Sequence, residues 1–452
     1  MNRERICEIN KTAANLYYLT LIKGNDKTGL DYITNRGITR QTILDFGLGY
    51  APDKWDFMTN ALLSRGFSPD ELIEAGISSR SEKNGNLYDK FRNRVMFPIV
   101  DLHGDVIGFG GRTLSNDKDV PKYLNTSENA AFNKGLNLFA MNHAKRADAD
   151  ALILCEGYMD AIAMQQADMK EAIATLGTAL TAEQAALISK FTDNVICAYD
   201  NDKAGTKAKL KAAELLSDAG VNVRILNMEN VPEKDPDEFI KAHGGKEFRE
   251  LLNKAEPAVD FVLRTLKSCP HEEIRVDLTT EEGKKALAEH MSHPMKLLSE
   301  TEKNLFQVRL FEEYGIITEE SRNKIHHGIV FGEGDTPAPK RKKSGLTEEQ
   351  KAVIHELENT ESGYVNGRAE TNKSVATGNE TIYDLSPITN VADLDLPEDV
   401  INALGGSGVQ ILAEVMELAP ADMKIIFDGD MKMVNQLCDF VGIDIGNRDI
   451  AD

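Results

Sequence analysis

The 452-residue chain has few of the features that define several protein classes. It holds one tryptophan and no run of about eighteen apolar residues, which excludes a transmembrane helix. Only a short, interrupted apolar stretch follows the charged start, so we expect no signal peptide. The five cysteines never form a Cys-x-x-Cys pair, which excludes a sequence-local zinc ribbon and is typical of a reduced compartment. We therefore predict a cytoplasmic protein of two to four domains, with no membrane partner.

The net charge of −21 argues against a nucleic-acid partner, but the charge is unevenly distributed. Residues 346–452 carry 21 acids and 6 bases, whereas residues 86–146 carry 9 bases and 6 acids. A global charge describes solubility, while a local basic stripe decides where a polyanion can bind. The sequence therefore predicts a basic segment, followed along the chain by an acidic tail.

Residues 151–226 alternate short apolar runs with helical patterns, which indicates a parallel α/β sheet. Acidic residues follow three of the predicted strands: Glu156 and Asp160, Asp200 and Asp202, and Asp235 and Asp237. The carboxyl ends of parallel strands form the ligand crevice, and carboxylates gathered there repel one another unless a cation binds. Oxygen ligands without histidine or cysteine favour Mg²⁺ or Mn²⁺. The alternative for any single acid, Asp202 above all, is a helix cap.

The remaining chain is predicted in less detail. Residues 28–46 indicate two short helices, residues 67–76 a helix that starts at Ser68 and stops at Gly76, and the stretch from Arg94 a β-hairpin around residues 101–104. We interpret Trp55 as a structural residue.

Three acidic motifs, EGYMD at 156–160, YDNDKAG at 199–205 and DPD at 235–237, resemble the Toprim domain of bacterial DnaG-type primases. Toprim domains also occur in topoisomerases and nucleases, so the acids alone leave the reaction open. The motifs FRNRVMFPI at 91–99, GFGGR at 108–112, PKYLN at 121–125 and NKG at 133–135 resemble the basic part of the RNA-polymerase core of the same primases. Topoisomerases lack that part.

The resemblance implies a mixed fold, α/β and α+β. A basic N-terminal α+β subdomain (1–150) and a helical subdomain (245–331) would flank a central Toprim parallel α/β domain (151–244). A linker (332–345) would lead to an acidic, helical or partly disordered C-terminal region (346–452), which stands where the family has its helicase-interaction module.

The resemblance also implies a DNA-dependent RNA primase that uses Mg²⁺ or Mn²⁺. Catalysis is then expected from Glu156, Asp200 and Asp202, and metal binding from these three with Asp160, Asp235 and Asp237. Contacts with nucleotide and template are expected from Arg92, Arg94, Arg112, Lys122, Asn125 and Lys134.

The expected partners are single-stranded DNA, ribonucleoside triphosphates and, through the C-terminal region, the replicative helicase of a primosome. The family's N-terminal zinc ribbon has no counterpart here, and no zinc site is expected in this chain. Either the chain is a fragment, or a zinc-ribbon protein acts in trans, or initiation works differently. Two other functions stay open: a Toprim nuclease or nicking enzyme, and a non-catalytic primase-like subunit that binds template or helicase.

Overall fold

The computed structural model describes residues 1–147, 149–228, 231–314 and residue 400. These residues divide into two compact units, residues 1–133 with residue 400, and residues 134–147, 149–228 and 231–314. The predicted linker, and the predicted C-terminal region apart from residue 400, lie outside the described residues. Among the helices of the described ranges, none combines the length and the hydropathy that a bilayer crossing requires.

The first unit is built on a small antiparallel sheet. Its strands are β1 (Gly49–Ala51), β2 (Ser78–Arg80), β3 (Leu87–Asp89), β4 (Arg94–Val100), β5 (Val106–Thr113) and β6 (Tyr123–Asn125). The main sheet has the order β1-β4-β5-β6, and β2 pairs with β3 separately. Phe97 lies opposite Gly110, and the amide of Asp101 donates to the carbonyl of Asp105 at 3.0 Å. The predicted hairpin around residues 101–104 is therefore confirmed.

Helices cover this sheet and complete the core of the first unit. They are α1 (Arg3–Lys23), α2 (Thr28–Asn35), α3 (Arg40–Phe46), α4 (Phe57–Leu63) and α5 (Pro69–Glu74). The rings of Tyr17 on α1 and Phe109 on β5 form an edge-to-face pair with their centres 5.5 Å apart, so α1 packs on the sheet. Ser68 and Glu71 form a capping box at the start of α5, and Gly76 ends that region with φ +74°. The helix predicted between these residues is confirmed.

The second unit contains the predicted parallel sheet. Its strands are β7 (Leu152–Cys155), β8 (Ala172–Ala174), β9 (Asn194–Cys197), β10 (Asn222–Ile225) and β11 (Glu256–Pro257), in the order β11-β10-β9-β7-β8. Strands β7 to β10 pair in parallel, as predicted. The edge strand β11 runs antiparallel to β10. It has only two residues, and so short a strand carries no hydrophobic period that the sequence can show.

The helices of the second unit continue the numbering. They are α6 (Met141–Ala144), α7 (Tyr158–Gln166), α8 (Ala182–Ile188), α9 (Lys203–Asp218), α10 (Pro236–His243), α11 (Gly245–Asn253), α12 (Ala258–Ser268), α13 (Glu281–Met295) and α14 (Glu300–Tyr314). Residues 245–314, the described part of the predicted helical subdomain, pack on the α/β part through α13. Its His290 lies 2.6 Å from Glu214 of α9, and its neighbour Lys296 lies 2.6 Å from Asp218.

The boundary between the units differs from the predicted one after residue 150, because residues 134–150 belong to the second unit. Gln184 donates to the carbonyls of Lys134 and Asn137 at 2.8 and 2.7 Å. Phe139 pairs with Ala174 of β8 and packs its ring edge-on against Tyr158, with the ring centres 4.8 Å apart. These contacts link residues about 20 to 50 positions apart, so sequence periodicity gives no sign of them.

Candidate functional site

Six acidic residues stand at the carboxyl ends of the parallel strands or in the loops that follow them. Glu156 follows β7, Asp200 follows β9, and the remaining four lie at the starts of the next helices: Asp160 in α7, Asp202 before α9, and Asp235 and Asp237 at α10. Glycine makes this compact arrangement possible at α9. A Cβ atom on Gly205 would lie 2.2 Å from the carbonyl oxygen of Asp200. Only glycine lets the first turn of α9 approach the end of β9 so closely.

Two of these acids are helix caps. Asp202 accepts the amide of Gly205 at 2.7 Å, and Asp235 accepts the amide of Glu238 at 2.8 Å. Both hydrogen bonds use Oδ1, and a carboxylate has a second oxygen that can accept as well. The capping interpretation is therefore confirmed for Asp202, and it is compatible with a second role.

The carboxyl groups of the site interact electrostatically. Burial raises the pKa of Asp200 to about 7, and the charges of Glu156, Asp235 and Asp202 add to this effect. Burial also raises the pKa of Asp160 well above its ordinary range, with further contributions from Asp235, Asp200 and Asp237. These shifts arise because acids that follow three different strands lie within electrostatic range of one another.

The donor set fits a hard cation in chemistry, although it is not yet a coordination sphere. Oε1 of Glu156 is buried and has no hydrogen-bond partner among the described residues. Asp237 is only 2% exposed, and its Oδ2 forms an ion pair with Nζ of Lys241 at 2.5 Å. In the described part of the chain, no three acidic, histidine or cysteine residues are close enough together to hold a metal ion. The side chains must therefore shift before they can share one.

The first unit carries a basic and aromatic cluster on β5 and β6. The guanidinium of Arg112 lies 5.2 Å from the ring centre of Tyr32 and 5.5 Å from that of Tyr123, and it donates to the Tyr123 hydroxyl at 3.1 Å. Lys122 is exposed beside Tyr123, with Nζ 6.0 Å from the ring centre. Asn125 ends β6 and is half-buried. A cluster of this kind offers positive charge for phosphate together with ring faces for bases.

Arg94 differs from the other predicted template contacts because it is buried. The side chain is 4% exposed, and Nη1 donates to the carbonyls of Gly111 and Pro121 at 2.9 and 3.1 Å. The guanidinium thus fixes the loop between β5 and β6 from inside. This placement gives Arg94 a positioning role and does not support the predicted direct contact. Lys134, also predicted as a contact, is half-buried in the second unit.

Trp55 contradicts its structural interpretation. The only tryptophan in the chain is 67% exposed, so its side chain does not pack in the core. The guanidinium of Arg92 lies 4.2 Å from the centre of its ring and 5.4 Å from the ring centre of Tyr88. An exposed aromatic ring stacked on arginine is a surface suited to a nucleobase. The sequence signal was a lone tryptophan within a polar stretch, PDKWD at 52–56.

Comparison with known proteins finds two family matches along the chain. The family described as "DNA primase catalytic core, N-terminal domain" matches residues 16–145, and the family "Toprim-like" matches residues 153–240. The DNA primase of Clostridium acetobutylicum is 37% identical over 316 residues, which cover 69% of this chain and 50% of that protein. The chain spans about half the length of the curated relatives it matches.

Solved structures agree with the sequence relatives. A DNA primase domain from Pseudomonas aeruginosa is similar with a TM-score of 0.60 and 33% identity, over 71% of this chain and 99% of that one. A DnaG primase catalytic domain bound to single-stranded DNA is similar with a TM-score of 0.59 and 33% identity, over 69% of this chain and 99% of that one.

Proposed function

Because the chain belongs to the bacterial DnaG-type primase family, we propose that it is a DNA-dependent RNA primase, which synthesises short RNA primers on single-stranded DNA during replication. The observation that carries the proposal is the carboxylate cluster at the strand ends, in which Asp200 has its pKa raised to about 7 by burial and by its acidic neighbours. Buried carboxylates that repel one another destabilise the fold, but they can hold the divalent ions on which metal-dependent phosphoryl transfer relies.

In the proposed reaction, the 3′-hydroxyl of the growing primer attacks the α-phosphate of an incoming ribonucleoside triphosphate. A new P–O bond forms between the hydroxyl oxygen and the α-phosphorus, the bond from the α-phosphorus to the bridging oxygen of the β-phosphate breaks, and pyrophosphate leaves with that electron pair. The hydroxyl proton is released to water. Glu156, Asp200 and Asp202 are our candidates for the catalytic acids, with Asp160, Asp235 and Asp237 as further ligands of Mg²⁺ or Mn²⁺. When bound, the divalent ion lowers the pKa of the hydroxyl and offsets the charge that develops on the phosphate.

The first unit supplies the binding surface in this proposal. Arg92, Arg112 and Lys122 neutralise phosphates of the template or the triphosphate, and Trp55 and Tyr123 offer ring faces to the bases. Arg94 holds the loop that carries Lys122. Lys134 and Asn125 stay candidate contacts. We expect the affinity for single-stranded DNA to fall steeply with salt, because each neutralised phosphate releases counterions.

The decisive experiment is primer synthesis by the purified chain on single-stranded template, with Mg²⁺ or Mn²⁺ and labelled ribonucleotides. The wild type should make short RNA, and the Asp200→Asn/Asp202→Asn double variant should make none. A zinc-ribbon protein and a replicative helicase, the two partners proposed for this chain, should be added if the chain alone is silent. Template cleavage without nucleotide consumption would identify a Toprim nuclease instead. Template binding without either reaction would identify an accessory subunit.

A further inference from the structure

Helix α9 carries four lysines along one sequence stretch, KAGTKAKLK at 203–211, and only one of them is buried. Lys203, Lys207 and Lys211 are exposed, whereas Lys209 is 3% exposed. A lysine is almost never fully buried unless its charge is compensated. The buried charge of Lys209 therefore requires compensating negative charge, whereas the three exposed lysines are solvated by water.

The position of Lys209 on α9 directs it toward the carboxylate site. The inward face of the helix consists of residues three or four positions apart, among them Gly205, Lys209, Ala212 and Leu216. Gly205 is the residue whose missing side chain brings the helix against the backbone of Asp200. Side chains of a helix lean toward its N-terminus, so Lys209 leans along this face toward Gly205 and the end of β9.

The electrostatics agree with this position. Burial raises the pKa of Asp200, of Glu156 and of the Cys197 thiol, and the positive charge of Lys209 partly offsets that rise in each pKa. Two of these three groups are proposed catalytic acids, and the third ends the strand that leads to Asp200. The side chain thus acts on the cluster from the protein interior, whereas a metal ion must enter from solvent.

We propose that Lys209 is a built-in counter-cation of the carboxylate site. Its buried ammonium group holds Glu156 and Asp200 in place when no divalent ion is bound, and it weakens divalent-ion binding by repulsion. The inference rests on the proposed function, since it assumes that these acids bind a divalent ion. Lys209 is a positioning residue in this view, because it acts on the reaction only through Glu156 and Asp200.

The test compares Mn²⁺ binding by the metal-stripped 452-residue chain with that of three variants. Lys209→Met removes the buried charge at nearly constant volume, and Lys209→Arg keeps the charge. Lys211→Met removes an exposed charge from the same helix, where Lys211 forms an ion pair with Glu214 at 3.0 Å. Binding is measured by electron paramagnetic resonance of free Mn²⁺ and by titration calorimetry, at constant pH and ionic strength.

We expect Lys209→Met to bind Mn²⁺ about tenfold more tightly than the wild type, with the other two variants within about twofold of it. A tenfold change corresponds to ~1.4 kcal/mol, which an ammonium group and a divalent ion supply at about 6 Å even in the dielectric of bulk water. A folded Lys209→Met variant with unchanged or weaker Mn²⁺ binding would overturn the proposal. Loss of charge would then have only structural consequences.

Two further outcomes are informative. If Lys209→Met fails to fold without divalent ions, restoration of its circular dichroism spectrum and cooperative melting by Mn²⁺ would support the proposal, and a failure of Mn²⁺ to restore them would refute it. If the wild type itself binds no Mn²⁺, the metal site of the proposed function is wrong. If the wild type binds Mn²⁺ and Lys209→Met binds it equally, only the role of Lys209 is wrong.

Discussion

Replacing Asp200 by asparagine should make the metal-free protein more stable while it abolishes primer synthesis. In the folded chain, burial and the neighbouring acids raise the pKa of Asp200 from an ordinary 3.8 to about 7. The folded state therefore holds this proton more tightly than the unfolded state. Folding stability must decrease as the pH rises from about 4 through 7, and the full penalty is present above pH 7.

The size of the effect follows from the same pKa difference. Each pKa unit corresponds to ~1.4 kcal/mol, which sets an upper limit of about 4 kcal/mol for the penalty at pH 8. Water still reaches this half-buried carboxyl, so we expect about 2 kcal/mol in the free energy of unfolding. For a unit of this size, that gain raises the melting temperature by roughly 4–8 °C.

The assay is thermal unfolding in EDTA at pH 5 and pH 8, with Asp218→Asn as the matched control. Lys296 and His293 donate hydrogen bonds to Asp218 and, against the effect of burial, lower the pKa of that carboxyl, so the control substitution should destabilise the fold at pH 8. The gain from Asp200→Asn should fall to less than half at pH 5, where the folded wild type is mostly protonated. The reasoning is refuted if Asp200→Asn leaves the melting temperature at pH 8 unchanged, or raises it equally at both pH values.

Three other predictions concern the first unit. Trp55→Phe should remove most of the change in intrinsic protein fluorescence on adding single-stranded DNA. Trp55→Ala should weaken binding of single-stranded DNA by about 1–3 kcal/mol in an anisotropy titration, since the exposed ring is proposed to stack on a base. Unchanged affinity of Trp55→Ala for single-stranded DNA would return Trp55 to a structural role. Arg94→Lys should lower the free energy of unfolding by about 1–3 kcal/mol in urea, because one ammonium cannot reproduce the guanidinium's hydrogen bonds to the carbonyls of Gly111 and Pro121. A variant with normal stability and weakened DNA binding would contradict the positioning role. Asp89→Ala should destabilise this unit by about 2–3 kcal/mol in the same urea unfolding measurement. The reason is that the buried carboxylate accepts the amides of Met58 and Thr59 at the start of α4. A loss of stability below about 0.5 kcal/mol would contradict the assignment of Asp89 as the cap of α4.

The sequence was informative wherever a local pattern sufficed. Alternating apolar runs predicted strands β7 to β10, and the acids that follow them lie at their carboxyl ends because parallel strands share one edge. Ser68 and Gly76 predicted the two ends of α5 because capping depends on residues within one turn.

The sequence was uninformative where the outcome depends on distant partners. Arg94 and Arg92 are two positions apart in one motif, yet one is buried against the carbonyls of Gly111 and Pro121 and the other stacks on Trp55. Lys209 is one of four lysines in the same short stretch of sequence. It alone is buried, because the packing of α9 places it on the inward face of the helix. Each case is decided by the tertiary neighbours of a side chain, which no local pattern contains.

The capping roles of two acids decide how the site must be probed. Asp202 and Asp235 each satisfy an amide at a helix start, and loss of such a cap costs about 1 kcal/mol. An alanine at either position therefore removes a carboxylate and destabilises a helix at once, so lost activity would have two causes. Asparagine keeps a side-chain oxygen that caps as well as aspartate does, and it removes only the charge. An asparagine variant that folds with wild-type stability and makes no primer would assign the loss to the carboxylate alone.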